Sequence, residues 1–158
     1  RADRAVYTPQ VVIDGRAHVV GSDRDAIEAK IAELRGAGAA PMVDVDVETT
    51  ADSLVVRVAD APAGLTAPRA TVWLARYDRN RTIRIGRGEN SGRTVAYTHL
   101  VKALQPIGMW KGSALRIELP RQDTAHDGEE GCAVLLQAEG EAGPGRILGA
   151  RRVERPAS

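Results

Sequence analysis

Phenylalanine is missing from this chain, and its 158 residues hold only two tryptophans and three tyrosines. Any core must therefore be filled by valine, leucine, isoleucine and alanine, the small apolar residues most often found fully buried. Cysteine is nearly missing too. Cys132 stands alone, which rules out an internal disulfide and a zinc site built on a cysteine pair within these residues. It opens the apolar run Cys132-Ala133-Val134-Leu135-Leu136, so it reads as a small buried hydrophobe, with no adjacent cation to make it a nucleophile. No apolar run reaches about 18 residues, so no transmembrane segment is expected. A formal charge of +1 is too small for a general nucleic-acid binder, so no nucleic acid is expected as a partner.

The constellations that carry chemistry are also lacking. His18, His99 and His126 are far apart, with no second ligand at metal-binding spacing. Asp123, Asp127, Glu129 and Glu130 surround Gly128 without matching a calcium loop. Gly86-Arg87-Gly88 has no third glycine at the dinucleotide offset, and Ser53 and Ser113 have no neighbouring base. No catalytic residue, no metal and no cofactor is expected.

What is present begins with a compact local pattern. Val11, Val12 and Ile13 form a β-branched run, Asp14-Gly15 is a strong hairpin turn, and Ala17 to Val20 supplies the return strand. Ser22, three residues before Asp25, reads as a helix N-cap. Ile27, Ile31 and Leu34 then recur down one helical face, and Gly36 offers a left-handed stop. A ββα unit this short cannot bury enough apolar surface to stand alone, because chains below about 40 residues usually need a staple. The expectation is that it closes a domain whose first half lies upstream.

Gly36-Ala37-Gly38-Ala39-Ala40-Pro41 reads as a linker, and the pattern then changes to period two. Val43, Val45 and Val47 alternate with Asp44, Asp46 and Glu48, and Leu54, Val56 and Val58 repeat the scheme. Further strands are expected over residues 71–77, 82–86, 94–101, 114–119, 132–138 and 147–153, with Leu100 to Leu104 alternatively a brief helical turn. Short strands with Gly and Pro turns suggest an antiparallel β-sandwich over residues 39–158. The expected class is α+β.

Arginine is the dominant cation: Lys30, Lys102 and Lys111 are the only lysines among 22 basic residues. Arg76, Arg79, Arg81, Arg84, Arg87 and Arg93 are opposed locally by Asp78 and Glu89 alone, giving a positive edge suited to carboxylate or phosphate contacts. Solvated arginines also protect exposed sheet edges from pairing, so the patch does not by itself name a ligand. In the loop from Arg87 to Gly92, Arg87, Glu89 and Asn90 are the candidate partner-binding residues. The same loop also reads as a self-closed turn, since Asn90 and Ser91 bond their own backbone and Gly88 and Gly92 tolerate positive φ.

Tyr7-Thr8-Pro9-Gln10, followed by strand, turn, strand and helix, resembles the last ββα portion of a thioredoxin-like fold, with Pro9 at the cis-proline position. Val72-Trp73-Leu74-Ala75-Arg76-Tyr77-Asp78, Arg87 to Arg93, Gly108-Met109-Trp110-Lys111-Gly112, Ala133 to Gln137 and Ile147 to Ala150 sharpen the match. Together they look like the exported bacterial family catalogued as domain of unknown function twelve twenty-three, over nearly the whole chain. The resemblance implies that residues 1–38 end a thioredoxin-like domain and that Thr8 and Pro9 touch substrate. It further implies a periplasmic or secreted location, with a protein thiol or disulfide as partner of a complete protein that is redox-active through an upstream Cys-x-x-Cys. That motif is not in this chain, so no redox role carries over to any residue here. The alternative reading is a non-enzymatic binding module that uses the Arg87 to Gly92 loop and the arginine-rich edge.

Overall fold

The computed structural model describes residues 9–36, 41–65, 69–88, 91–121, 131–140 and 143–154. The chain starts with the hairpin of β1 (Gln10–Ile13) and β2 (Ala17–Val20), paired antiparallel from Gln10 with Val20 to Ile13 with Ala17. Asp14 and Gly15 take φ of 52° and 64°, the left-handed conformations an Asp-Gly pair supplies, and the Arg16 amide closes the turn on the Ile13 carbonyl at 2.9 Å. Helix α1 (Arg24–Gly36) follows. Its cap is Asp23, one residue after the expected Ser22: the Asp23 carboxylate accepts the Ala26 amide at 2.9 Å, where a side-chain oxygen satisfies an orphan donor. Gly36 is the last helical residue rather than a left-handed stop. No residue of α1 is buried.

The rest is β. A three-stranded sheet has the order β3 (Val45–Thr49), β4 (Ser53–Val58), β7 (Leu115–Pro120), and a four-stranded sheet has the order β6 (Thr94–Trp110), β5 (Ala70–Arg84), β8 (Gly131–Gly140), β9 (Gly143–Glu154). Every pairing is antiparallel. Val45, Leu54, Val56 and Val58 of the first sheet meet Val72, Leu74, Val134, Leu136 and Leu148 of the second in one buried cluster. Trp110 is its largest member, and the indole Nε1 donates to the Ala59 carbonyl at 3.0 Å. Val43 joins the sheets at one corner, its amide donating to the Leu148 carbonyl at 2.8 Å.

The expected architecture needs correction. A thioredoxin-like ββα remnant followed by a separate β-sandwich does not describe this molecule, which is mostly β, with three antiparallel sheets and one helix among the described residues. The β1–β2 hairpin is a sheet of two strands, and its turn is tied to the main body: the Ile147 amide donates to the Asp14 carbonyl at 2.8 Å. Gly15 lies so close that an added Cβ would stand 2.6 Å from the Gly145 carbonyl oxygen. The expected boundary between residues 38 and 39 lies outside the described residues. Two further readings change. Residues 71–77 and 82–84 belong to one strand, with 85 and 86 beyond its end, because β5 keeps pairing with β6 from Ala70 through Arg84. Residues 100–104 are part of β6 rather than a helical turn, with a bulge at Lys102 where Arg76 faces Ala103 and Tyr77 faces Val101.

On the outer face of the first sheet, register sets Asp46 opposite Arg57 and Arg57 opposite Arg116, with Glu48 opposite Val55 and Val55 opposite Glu118. Arg57 pairs with Glu48 at 2.8 Å and Asp46 at 3.6 Å, and Arg116 with Glu118 at 2.7 Å. The Arg116 hydrogen bond, then the Ser53 hydroxyl at 3.1 Å, hold the Glu118 carboxyl below its ordinary value of 4.5. A lowered folded pKa contributes stability above the unfolded pKa, which is lost as pH falls through the folded pKa. The melting-temperature gap between wild type and Glu118→Gln should therefore be present at neutral pH and close below pH 4.5; a gap unchanged into strong acid would contradict this. Separately, a Cβ on Gly149 would collide with the Val43 carbonyl and lie 2.8 Å from Val45 Cγ2. Gly149→Ala should cost about 1–3 kcal/mol in urea unfolding, as overpacking does.

Candidate functional site

Strand β5 pairs with β8 only from Ala70 to Tyr77, but with β6 as far as Arg84. The distal parts of β5 and β6 consequently project past the sandwich as a two-stranded ribbon. Asn80 to Arg84 and Thr94 to Thr98 are exposed apart from the half-buried Val95, since among the described residues no third strand or opposing sheet covers them. The six arginines do not form one compact cluster: Arg79, Arg81 and Arg84 lie on this arm, Arg87 and Arg93 at its tip, and Arg76 stays in the body opposite Cys132 of β8. Arg76 and Arg84 are eight residues apart on an extended strand, roughly 26 Å.

The tip is a closed turn. The Ile85 amide donates to the Arg93 carbonyl and the Gly92 amide to the Ile85 carbonyl, both at 2.8 Å. Ser91 closes the inner loop, its amide on the Gly88 carbonyl at 2.9 Å and its hydroxyl on the Gly86 carbonyl at 3.1 Å. Gly88 and Gly92, with φ of 89° and 83°, supply the left-handed positions. Arg87 is exposed beside this turn, while Glu89 and Asn90 lie outside the described residues. Thr8 also lies outside them. Pro9 is exposed at the base of the β1–β2 hairpin, where its carbonyl accepts the Gly21 amide at 2.8 Å. Pro9, just before β1, and Arg87, beyond the end of β5, therefore adjoin different sheets.

Where the ribbon leaves the sandwich, the chemistry is denser than the sequence suggested. The Tyr77 ring is buried over Gly131, and the His99 ring meets it edge-on with centroids 5.1 Å apart. His99 takes a φ of 53°, unusual for a residue with a side chain. Asp78, 4% exposed, is paired with Arg81 at 3.3 Å, while Arg81 is half exposed. Nothing in the one-dimensional pattern marks Tyr77 and His99 as neighbours, because that contact depends on the β5–β6 register. Among the described residues no three His, Cys, Asp or Glu side chains gather as for a metal ion. Cys132 is buried in β8, as expected. With one cysteine, these residues cannot cycle between an internal dithiol and a disulfide.

A family model described as a protein of unknown function, DUF1223, matches residues 1–137. The chain belongs to the DUF1223 family. Membership agrees with the family read from the sequence motifs. The chain is also similar to the X-ray crystal structure of protein AGR_C_4864 from Agrobacterium tumefaciens, at 29% identity and a TM-score of 0.79. The match covers 98% of this chain and 64% of the other, so the chain spans less than two thirds of that protein's length. No curated protein matches. No helix among the described residues is long and apolar enough to cross a membrane.

Removing Arg81 leaves the Asp78 carboxylate buried without that cation. Because Arg81 is half exposed and water reaches the pair, Arg81→Ala should cost only about 1 kcal/mol in denaturant unfolding, not the larger penalty of a sealed pair.

Proposed function

We propose that this chain is a non-catalytic binding module whose arginine-bearing ribbon recognises an acidic partner. The observation that carries this reading is the single-sided pairing of β5 beyond Tyr77, which among the described residues leaves both faces of the arm uncovered. Of the acidic residues described along the arm, Asp78 is buried and engaged by Arg81. Arg84 and Arg87 are exposed, and among the described residues neither is in an ion pair. Guanidinium groups suit the acidic side chains of a partner because they bond a carboxylate in bidentate fashion. The hydrogen bonds that close the tip restrain the backbone between them, which lowers the ordering cost of association.

A fluorescein-labelled polyglutamate peptide tests this by anisotropy. Binding should weaken steeply as salt rises from 0.02 to 0.3 M, because exposed charges are screened beyond about 10 Å at 0.1 M. Replacing Arg84 and Arg87 together by alanine should reduce affinity about tenfold with the melting temperature unchanged. Unaltered binding by the double variant would sink the reading, and a lowered melting temperature would mean that the tip arginines serve the fold.

A further inference from the structure

A second concave surface lies away from the ribbon, between the β1–β2 hairpin, α1, Met42 and β9. Its volume is about 550 Å³, within the range of small-molecule sites. Ile13, Ile31, Leu34, Met42 and Ile147 line it with apolar surface. Ile31 and Leu34 stay only half buried, and Met42 is 57% exposed. Three guanidinium groups, from Arg16, Arg35 and Arg146, stand around this apolar lining against a single carboxylate, Asp14.

The hairpin turn, Pro41 and β9 are tied to one another, while α1 forms the remaining wall. The Ile147 amide bonds the Asp14 carbonyl, Gly15 is pressed on Gly145, and Arg146 Nη2 donates to the Pro41 carbonyl. The hairpin–β9 side of the groove is thus preformed. Arg16 and Arg35 are exposed, and among the described residues neither makes a salt bridge. An apolar floor asks for an alkyl chain, and an excess of arginine at its margin asks for an anion that a guanidinium can grip. A simple hydrocarbon leaves the charges unmatched, and a free inorganic anion leaves the floor wet.

We infer that this groove binds a medium-chain carboxylate, its tail along Ile13, Ile31 and Leu34 and its head group beside Arg16 and Arg35. The inference stands apart from the ribbon reading, whose arginines belong to other strands.

The test uses the whole chain and dodecanoate below its critical micelle concentration, followed by displacement of a fluorescent fatty-acid probe. Binding should saturate at one site per chain and weaken by about fourfold for each buried methylene removed on going to decanoate and octanoate. Dodecyltrimethylammonium, with the opposite charge, should bind about tenfold more weakly or worse. So should dodecanoate with the Arg16→Glu, Arg35→Glu double variant. Met42 is 57% exposed, so Met42→Asp provides a variant whose fold is not at risk and whose affinity should fall by a similar factor. Equal affinity for the cationic amphiphile, no dependence on tail length, or no saturable binding would each overturn the inference. It would equally be overturned by tighter binding of an acidic, apolar peptide, or by sedimentation showing a second copy on this face, with a dimer that Met42→Asp dissolves.

Discussion

Strand β5 is hydrogen-bonded on both sides for its first half and on one side only for its second, and the character of the molecule changes at that point. Through Tyr77 it is an interior strand, and its side chains Val72 and Leu74 are fully enclosed by the opposing sheet. Past Asp78 it has lost β8, and the burial ends with the pairing. Packing alone does not maintain the arm. It persists because β6 supplies a full ladder of backbone bonds and because the tip is closed by amide and hydroxyl contacts. Arginine is tolerated there because no apolar environment is present to desolvate it.

The same economy of packing governs the opening segment. Its hairpin and helix contribute no buried residue, so their position depends on a few specific ties, chiefly the Asp14 carbonyl to the Ile147 amide and the close approach of Gly15 to Gly145. A half-buried helix face beside a strand that carries its own arginine creates a groove of mixed character. Regions with few buried contacts are where binding surfaces are usually found, because the fold does not depend on their surface being closed. Both proposed surfaces lie at such margins, one beyond the end of β8 and one beside the end of α1.

Local chemistry was legible wherever a short pattern has one physical meaning. The Asp-Gly turn required positive φ and took it, the Ile27, Ile31, Leu34 spacing formed a helix, and alternating valines formed strands whose inner faces are the core. The N-cap shifted by one residue because Asp23 and Ser22 are both good caps and only the chain's path selects between them. The thioredoxin-like reading failed for a different reason. A ββα pattern specifies three elements but not the sheet they join, and here the hairpin joins none beyond itself among the described residues.

What the amino-acid sequence determined by itself was therefore the kind of element at most positions, a valine-rich core without phenylalanine, the lack of an internal dithiol, and a concentration of arginine between residues 76 and 93. Only the tertiary structure decided that two expected strands are one, that all of these arginines but Arg76 are strung along a projecting ribbon, that His99 meets Tyr77, and that Arg16, Arg35 and Arg146 face a common groove. Periodicity and turn chemistry act over a few residues, whereas strand pairing and register connect residues far apart in the chain. No local pattern carries that information.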